Sequence, residues 1–450
     1  MTGKNIRKMC AALIAGSMLL TACGETPAER TEGITHVLEE EKAKTDEAEK
    51  EYEEASKELK EEELEELLDN GKKKEDASPY TGAVEGLPEY TLEGSTDLPG
   101  HFFISFVYTR NIIMMDGKGN VVWSKHEDQP EGSTTGWWDF KKHVIDGKTY
   151  YSYHDQIAEY DNFGFEGFAP GDRVILDENF NEIKRITFEQ SDTVEKGHPV
   201  DGHDFLMIDL DHYFLSGYLK DTIYNHPDYP DGSSVVYSYL QEVDHGKTVW
   251  DWKSIDYPEL YSLVVTDGDE TADDFANEKT EVPDIVHFNA MRLDDDGNLI
   301  CSFRHLSAIL CLDRTKQQDQ IKWKLSGKGD DFNLTEDQKT SCQHYVTVDG
   351  DSVMVFNNGN RDKKTDVRIY DLDKANMKVN EVYMLEIPDK FSYACGAVQH
   401  VKGEQYVIGW GKSMKDAKCM SVYDFAADKE LMSMTLANPK NFTYRCVYYE

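Results

Sequence analysis

Residues 287–323 read HFNAMRLDDDGNLICSFRHLSAILCLDRTKQQDQIKW. Two apolar runs flank the acidic, glycine-containing turn from Asp294 to Asn298, and two more flank the turn that begins at Asp313. Short apolar runs bounded by Asp, Gly and Asn signal hairpins, so this stretch predicts four antiparallel strands in succession. The second hairpin recurs along the chain. Related segments end at Trp123, Ile186, Trp252, Trp323, Val382 and Met434, with turn acids at Asp116, Asp177, Asp244, Asp313, Asp371 and Asp424. These acids lie 61, 67, 69, 58 and 53 residues apart, the spacing of one repeated unit. Each is preceded by another apolar pair, as in HFFISFVYTR, KKHVIDGKTYYSY, HDFLMIDLDHYFLSGY, HYVTVDGDSVMVF and GAVQHVKGEQYVIGW. Four antiparallel strands make one propeller blade. Six units therefore predict an all-β fold, a six-bladed β-propeller that accounts for nearly all of the chain from Gly100 on. The leftover run FTYRCVYY at 442–449 is expected to complete the first blade and close the ring. A seven-bladed ring and a pair of β-sandwiches are the competing architectures; sandwiches would not explain a repeat of this length.

Upstream of the repeats the chemistry changes. Lys4, Arg7 and Lys8 precede an apolar run from Met9 to Leu20, and Leu20-Thr21-Ala22-Cys23-Gly24 follows. A basic start, a short apolar run and small residues before a cysteine describe an export signal of the bacterial lipoprotein type. The run is too short to span a bilayer. Residues 1–22 are thus read as a lipoprotein signal peptide, with Cys23 the lipidated residue and the protein held at the extracytoplasmic face of the cell membrane. A plain signal peptide cut near Ala22 would export the chain equally well. Residues 23–80 are read as an acidic tether, helical or disordered. Between Thr31 and Tyr80 there are 19 Asp or Glu against 8 Lys or Arg, with few apolar residues to build a core. The propeller domain is assigned to 81–450.

The formal net charge of −38 repels phosphate backbones, and no Lys/Arg stripe interleaved with aromatics is present, so nucleic acid is excluded as a partner. Of eight cysteines, Cys10 leaves with the signal and Cys23 takes the lipid; no C-x-x-C motif occurs among the rest. Cys301 and Cys311 flank one short turn and are the expected disulfide pair, if any forms. The acidic glycine turns, Asp294 to Asn298 above all, resemble calcium loops, but hairpin turns are their expected use.

Inner strands of a propeller begin near the central channel, so residues at those positions converge from distant parts of the chain. His203, His287 and His344 head the first hairpins of successive units, and Arg304 closes the hairpin that His287 opens. No carboxylate partner stands out among them. Imidazoles with one guanidinium fork suit an anionic substrate, because Arg presents paired donors to sulfate, phosphate or carboxylate oxygens and neutral His is a nucleophile or proton carrier. Three histidines as ligands of zinc or iron are the competing chemistry. Trp137 and Trp138 are expected to fill a blade core, or else to line an aryl pocket.

The phrases GHDF, DIVHFNAMRLDDDGNLICSFR, QHYVTVDGD, VFNNGN and GAVQHV, in this order, resemble the bacterial arylsulfate sulfotransferases from roughly Gly100 to the C-terminus. That family is one of exported six-bladed propellers moving a sulfuryl group between phenols without a nucleotide sulfate donor. The resemblance implies that His344 is a nucleophile carrying the group as sulfohistidine, that His203 and His287 stabilise the leaving phenolate, and that Arg304 binds the sulfuryl oxygens. It further implies aryl sulfates and phenols as substrates, with no cofactor and no metal. Asn358 and Arg368 fall in a further motif and, with Trp138, are candidate substrate-binding residues. Tyr345 stands where the family commonly has an acid, and Phe303 where a smaller residue is expected. The acidic tether occupies the place of the extra N-terminal β domain of long members, and whether rings pair as a homodimer stays open. Two other functions compete with transfer: a non-catalytic propeller that captures a ligand or partner, and a metal-dependent hydrolase or lyase.

Overall fold

The computed structural model describes residues 86–129, 133, 135–157, 167–224, 231–265, 267 and 282–450. The signal, Cys23 and the tether lie outside the described residues. Past a first strand β1 (Tyr90–Gly94), the chain forms six antiparallel sheets in sequence order. Blade 1 holds β2 (His101–Phe106), β3 (Asn111–Asp116) and β4 (Val121–His126). Blade 2 holds β5 (Trp137–Ile145), β6 (Lys148–Gln156), β7 (Pro170–Leu176) and β8 (Glu182–Ile186). The two-residue β9 (Val200–Asp201) pairs with β7. Blade 3 holds β10 (Leu206–Met207), β11 (His212–Ile223), β12 (Ser233–Asp244) and β13 (Lys247–Lys253). Blade 4 holds β14 (Phe288–Leu293), β15 (Leu299–Phe303), β16 (Ala308–Leu312) and β17 (Ile321–Ser326). Blade 5 holds β18 (His344–Asp349), β19 (Ser352–Asn357), β20 (Asp366–Asp373) and β21 (Lys378–Glu386). Blade 6 holds β22 (Ala397–Lys402), β23 (Gln405–Gly409), β24 (Lys418–Asp424) and β25 (Lys429–Leu436). The last strand, β26 (Thr443–Tyr449), joins blade 1 beside β2.

The fold is the predicted six-bladed propeller, with the ring closed by the C-terminal run. Two details differ from expectation. HFFISFVYTR is not a hairpin: it is the single strand β2 followed by a turn, and β26 supplies its missing partner. Blade 6 also has a fifth strand, because β1 pairs with β25 from Tyr90↔Leu436 to Gly94↔Met432.

Each blade is apolar on both faces because each face is buried against a neighbouring blade. One core cluster joins residues of blades 3 and 4, and another joins Ile300, Ile309 and Cys311 of blade 4 to Val346, Val355 and Tyr370 of blade 5. This packing overturns the Cys301–Cys311 pair. In the β15–β16 register Cys301 faces Leu310 and Cys311 faces Ile300, so the two cysteines point to opposite faces and cannot meet. All six cysteines among the described residues are free thiols. The hairpin reading of the acidic turns holds: Asp294 accepts the backbone N–H of Asn298 at 2.8 Å, folding the carboxylate back onto its own turn.

Strands next to the axis share an irregularity that positions the site. Ladders slip by a residue near Trp138/Lys141, Phe288/Ala290, His344/Val346 and, on the β26 partner, Ile104/Phe106. A bulge re-aims the side chains beside it. Here the re-aimed residues include Asp139, Asn289, Tyr345, Tyr444 and Arg445, with Asp139 at φ 50° and Tyr345 at φ 53°. They build a buried ionic layer. Asp139 meets Lys141 at 2.9 Å, Arg173 at 3.1 Å and Arg445 at 2.8 Å, and Asp204 meets Lys141, Arg292 at 3.0 Å and Arg445 at 3.1 Å. The guanidiniums of Arg292 and Arg445 both lie over the Tyr345 ring, 4.6 and 5.0 Å from its centre. Tyr444 links this layer to the histidines by donating its O–H to the His203 carbonyl at 2.9 Å.

Candidate active site

His344 opens β18 beside its bulge, and its protonation pattern is fixed by groups with no ambiguity of their own. The Asn358 amide nitrogen donates to the carbonyls of Ser392 at 3.0 Å and Cys395 at 3.1 Å, so the Asn358 oxygen must face the imidazole. That oxygen lies 2.8 Å from His344 Nδ1, which is therefore the N–H. Nε2 carries the lone pair and accepts the Cys395 backbone N–H at 3.2 Å. Burial, with the Arg304 guanidinium next in importance, holds the imidazole well below its usual range, so it stays neutral at neutral pH. A buried neutral imidazole with its lone pair at Nε2 is a nucleophile.

Arg304 follows β15 and donates its backbone N–H to the His287 carbonyl at 2.7 Å, closing the hairpin as the sequence predicts. Its Nη2 donates to the Tyr393 carbonyl at 3.0 Å, and the guanidinium sits 5.7 Å from the Tyr393 ring centre.

His203 and His287 touch directly, Nε2 to Nε2 at 3.1 Å. Each has a carboxylate behind it, which corrects the expectation that none was present. Asp201 bonds His203 Nδ1 while accepting the backbone N–H groups of His203 at 2.9 Å and Ala169 at 2.8 Å. Asp284 Oδ2 lies 2.5 Å from His287 Nδ1. Burial acts to raise the Asp201 carboxyl, but His203, His154 and the Ala169 N–H together outweigh it and hold the carboxyl at about 2. His305 packs beside His287, with ring centres 4.8 Å apart, and donates from Nδ1 to the Asp284 carbonyl at 2.5 Å. The potential ligand atoms of Asp284, His287 and His305 lie within 4.8 Å of one another. Both Nδ1 atoms are already engaged by Asp284, so the cluster is built as hydrogen-bonded dyads and not as converging free lone pairs.

Aromatic rings surround the pair. Tyr218 stacks on His287 at 5.2 Å, Phe168 lies 5.9 Å from it, and Trp138 lies 6.0 Å from His203. Trp138 is therefore at the site, its buried indole N–H without a partner among the described residues, whereas Trp137 packs on Tyr153 and donates to Asp155 at 3.1 Å. Arg368 is not at the site. It pairs with Asp366 at 3.0 Å and donates to the Asp337 carbonyl at 2.8 Å, bracing blade 5. Asp201, Asp284, His305 and the Cys395 N–H escaped the sequence reading. The first two had a signal in the short spacings of Asp201-Gly202-His203 and Asp284-Ile285-Val286-His287.

A family model described as arylsulfotransferase (ASST) matches residues 154–418, which include all three channel histidines and Arg304. The chain belongs to the arylsulfotransferase family. It is an enzyme of the sulfotransferase kind. No curated protein matches it. Similar solved structures include a protein of unknown function from Bacteroides caccae, with 9% identity over 78% of this chain and 99% of that one at a TM-score of 0.42. A nidogen/laminin complex follows at 9% identity, 77% and 97% coverage and a TM-score of 0.40. A streptogramin B lyase has 10% identity, 76% and 87% coverage and a TM-score of 0.35. Likeness at this level says nothing about this arylsulfotransferase's substrates.

Proposed function

We propose that this arylsulfotransferase moves a sulfuryl group from an aryl sulfate to a phenolic acceptor in two steps through a sulfohistidine at His344. The orientation of His344 carries the reading: Asn358 holds Nδ1 protonated, which puts the lone pair on Nε2, and Nε2 gives up its 3.2 Å contact with the Cys395 N–H when it bonds to sulfur. In the first step Nε2 bonds to sulfur and the S–O bond to the aryl group breaks. Arg304 holds the sulfuryl oxygens, and His203 with His287 meets the charge growing on the departing oxygen. In the second step the acceptor oxygen takes the group and regenerates His344. Trp138, Phe168 and Tyr218 supply an apolar wall of the kind an aryl ring packs against. Arg368, engaged by Asp366 and the Asp337 carbonyl, is given no role in this scheme. The N-terminal sequence supports export, lipidation at Cys23 and action at the extracytoplasmic face of the membrane, on small phenolic substrates.

Incubation of the whole protein with an aryl sulfate alone, followed by intact mass measurement, tests the central step. One added sulfuryl group mapping to His344, absent in His344→Asn, is the expected result. Full turnover by His344→Asn, or sulfuryl on another residue, would remove the assignment.

A further inference from the structure

The contact between His203 and His287 has a consequence for proton counting. Both Asp201 oxygens accept backbone N–H groups, so the bond to His203 Nδ1 takes its proton from the imidazole. His287 Nδ1 and Asp284 Oδ2 share one proton at 2.5 Å, while the other Asp284 oxygen is buried with no hydrogen-bond partner among the described residues. With both Nδ1 positions protonated, two neutral rings would set two lone pairs against each other at 3.1 Å. An N–H···N bond there requires one more proton than two neutral rings and two ionised carboxylates hold, so the four groups together carry one extra proton; burial disfavours placing its charge on His203.

We propose that Asp201, His203, His287 and Asp284 form a single proton-sharing chain whose one transferable proton lies between the two Nε2 atoms and serves as general acid, then base. This rests on the reading of the site as one for aryl sulfate transfer. In the first step the shared proton passes to the aryl oxygen as the S–O bond breaks and His344 Nε2 bonds to sulfur. A phenol departs, and the two rings are left neutral. In the second step the acceptor phenol returns a proton to the pair while its oxygen bonds to sulfur and the S–N bond breaks. The chain thus cycles between net charges of −1 and −2, and no other proton carrier is needed. Asp201 and Asp284 are positioning residues: without a carboxylate behind each ring, the shared proton is bound less tightly and the rings are free to turn.

Other groups around the pair leave the count intact. Tyr444 and Tyr218 donate to the carbonyls of His203 and Phe288. His305 donates to the Asp284 carbonyl, and burial keeps His154 neutral. Arg304, Arg445 and His344 are fixed charges or neutral partners and offer the pair no acceptor.

Donors of graded leaving-group ability provide the test. In the wild type, kcat/KM for poor leaving groups should fall above the pH at which the shared proton is lost, while good leaving groups show no such limb. Asp201→Asn and Asp284→Asn should lose about 100-fold with poor leaving groups and less than about 10-fold with good ones. An equal loss for all donors, or a wild-type profile independent of the leaving group, would overturn the proposal. Proton NMR of histidine-labelled protein decides the chain independently of activity. Two strongly downfield Nδ1–H signals should appear, one vanishing in each variant, and their absence at neutral pH overturns the proposal even if the variants are unstable. A protein that gives these signals but accepts no aryl sulfate would instead overturn the functional reading.

Discussion

Asn358 Oδ1 sits 2.8 Å from His344 Nδ1 at the far end of the same hairpin, so a hairpin's two ends fix one tautomer. Asn358→Leu removes the acceptor and frees the ring to place its proton on Nε2. Its kcat should fall about 100-fold with little change in KM, since the effect is on the reacting atom and not on substrate contacts. Asn358→Asp keeps an acceptor but adds a negative charge, which raises the imidazole pKa; the acid limb of kcat should move to higher pH. Unchanged kinetics in Asn358→Leu would remove the orienting role.

Acid should destabilise the fold early. Burial pushes the His154 imidazole down to about 3, and Arg173 adds to the effect. Among the described residues neither ring nitrogen makes a well-formed hydrogen bond, the Ala169 backbone giving only a weak opposing contribution, and the side chain is wholly buried. A histidine whose pKa is lower in the folded state binds its proton first in the unfolded state. Its stabilisation is therefore full above an unfolded pKa near 6.5 and shrinks as pH falls toward the folded value. From pH 7 to pH 5 this single residue should remove about 2 kcal/mol, with His305 and His344 adding in the same direction. Urea midpoints at the two pH values measure the loss, and His154→Leu should flatten the slope. A slope that His154→Leu leaves intact would assign the effect elsewhere.

The axial ionic layer should tolerate loss of a carboxylate poorly. Asp204→Asn leaves Lys141, Arg292 and Arg445 facing an amide in a buried setting, where removing one partner of a paired charge typically costs about 3–5 kcal/mol. A fall of that size in unfolding free energy is expected. Asp97→Asn, which breaks an exposed pair with Lys402, should change stability by less than about 1 kcal/mol. Equal effects from the two would mean that the layer is solvated.

The ring was legible because its signal is local and repeated. A turn acid such as Asp294 folds back on its own hairpin, so each repeat announces itself within a dozen residues. His287, Arg304 and His344 were legible for the same reason, as polar residues at the ends of apolar runs. The missed features depend on parity. Cys301 and Cys311 are one residue out of register across their hairpin, which decides their faces but leaves no trace in spacing. Bulges at Tyr345 and Asp139 turn inward side chains that strict alternation would place elsewhere. The Cys395 N–H at His344 comes from a loop in the next blade, and no local pattern marks a backbone donor. Arg368 could stand among the candidates because a guanidinium in a promising motif looks the same in sequence whether it braces a blade, as its Asp366 pair does, or waits for an anion.

The closing strand β26 does more than complete blade 1. Tyr444, which donates to the His203 carbonyl, and Arg445, which joins Asp139 and Asp204, are carried on it, so the layer next to the histidines is incomplete until residues 443–449 have been added. A chain with five finished blades already carries His344, Arg304 and the two Asp–His pairs, but lacks the Tyr444 and Arg445 contacts that fix the His203 and Asn289 carbonyls. The final geometry of the site is therefore set only when the two ends of the propeller meet, so ring closure and completion of the site are one event.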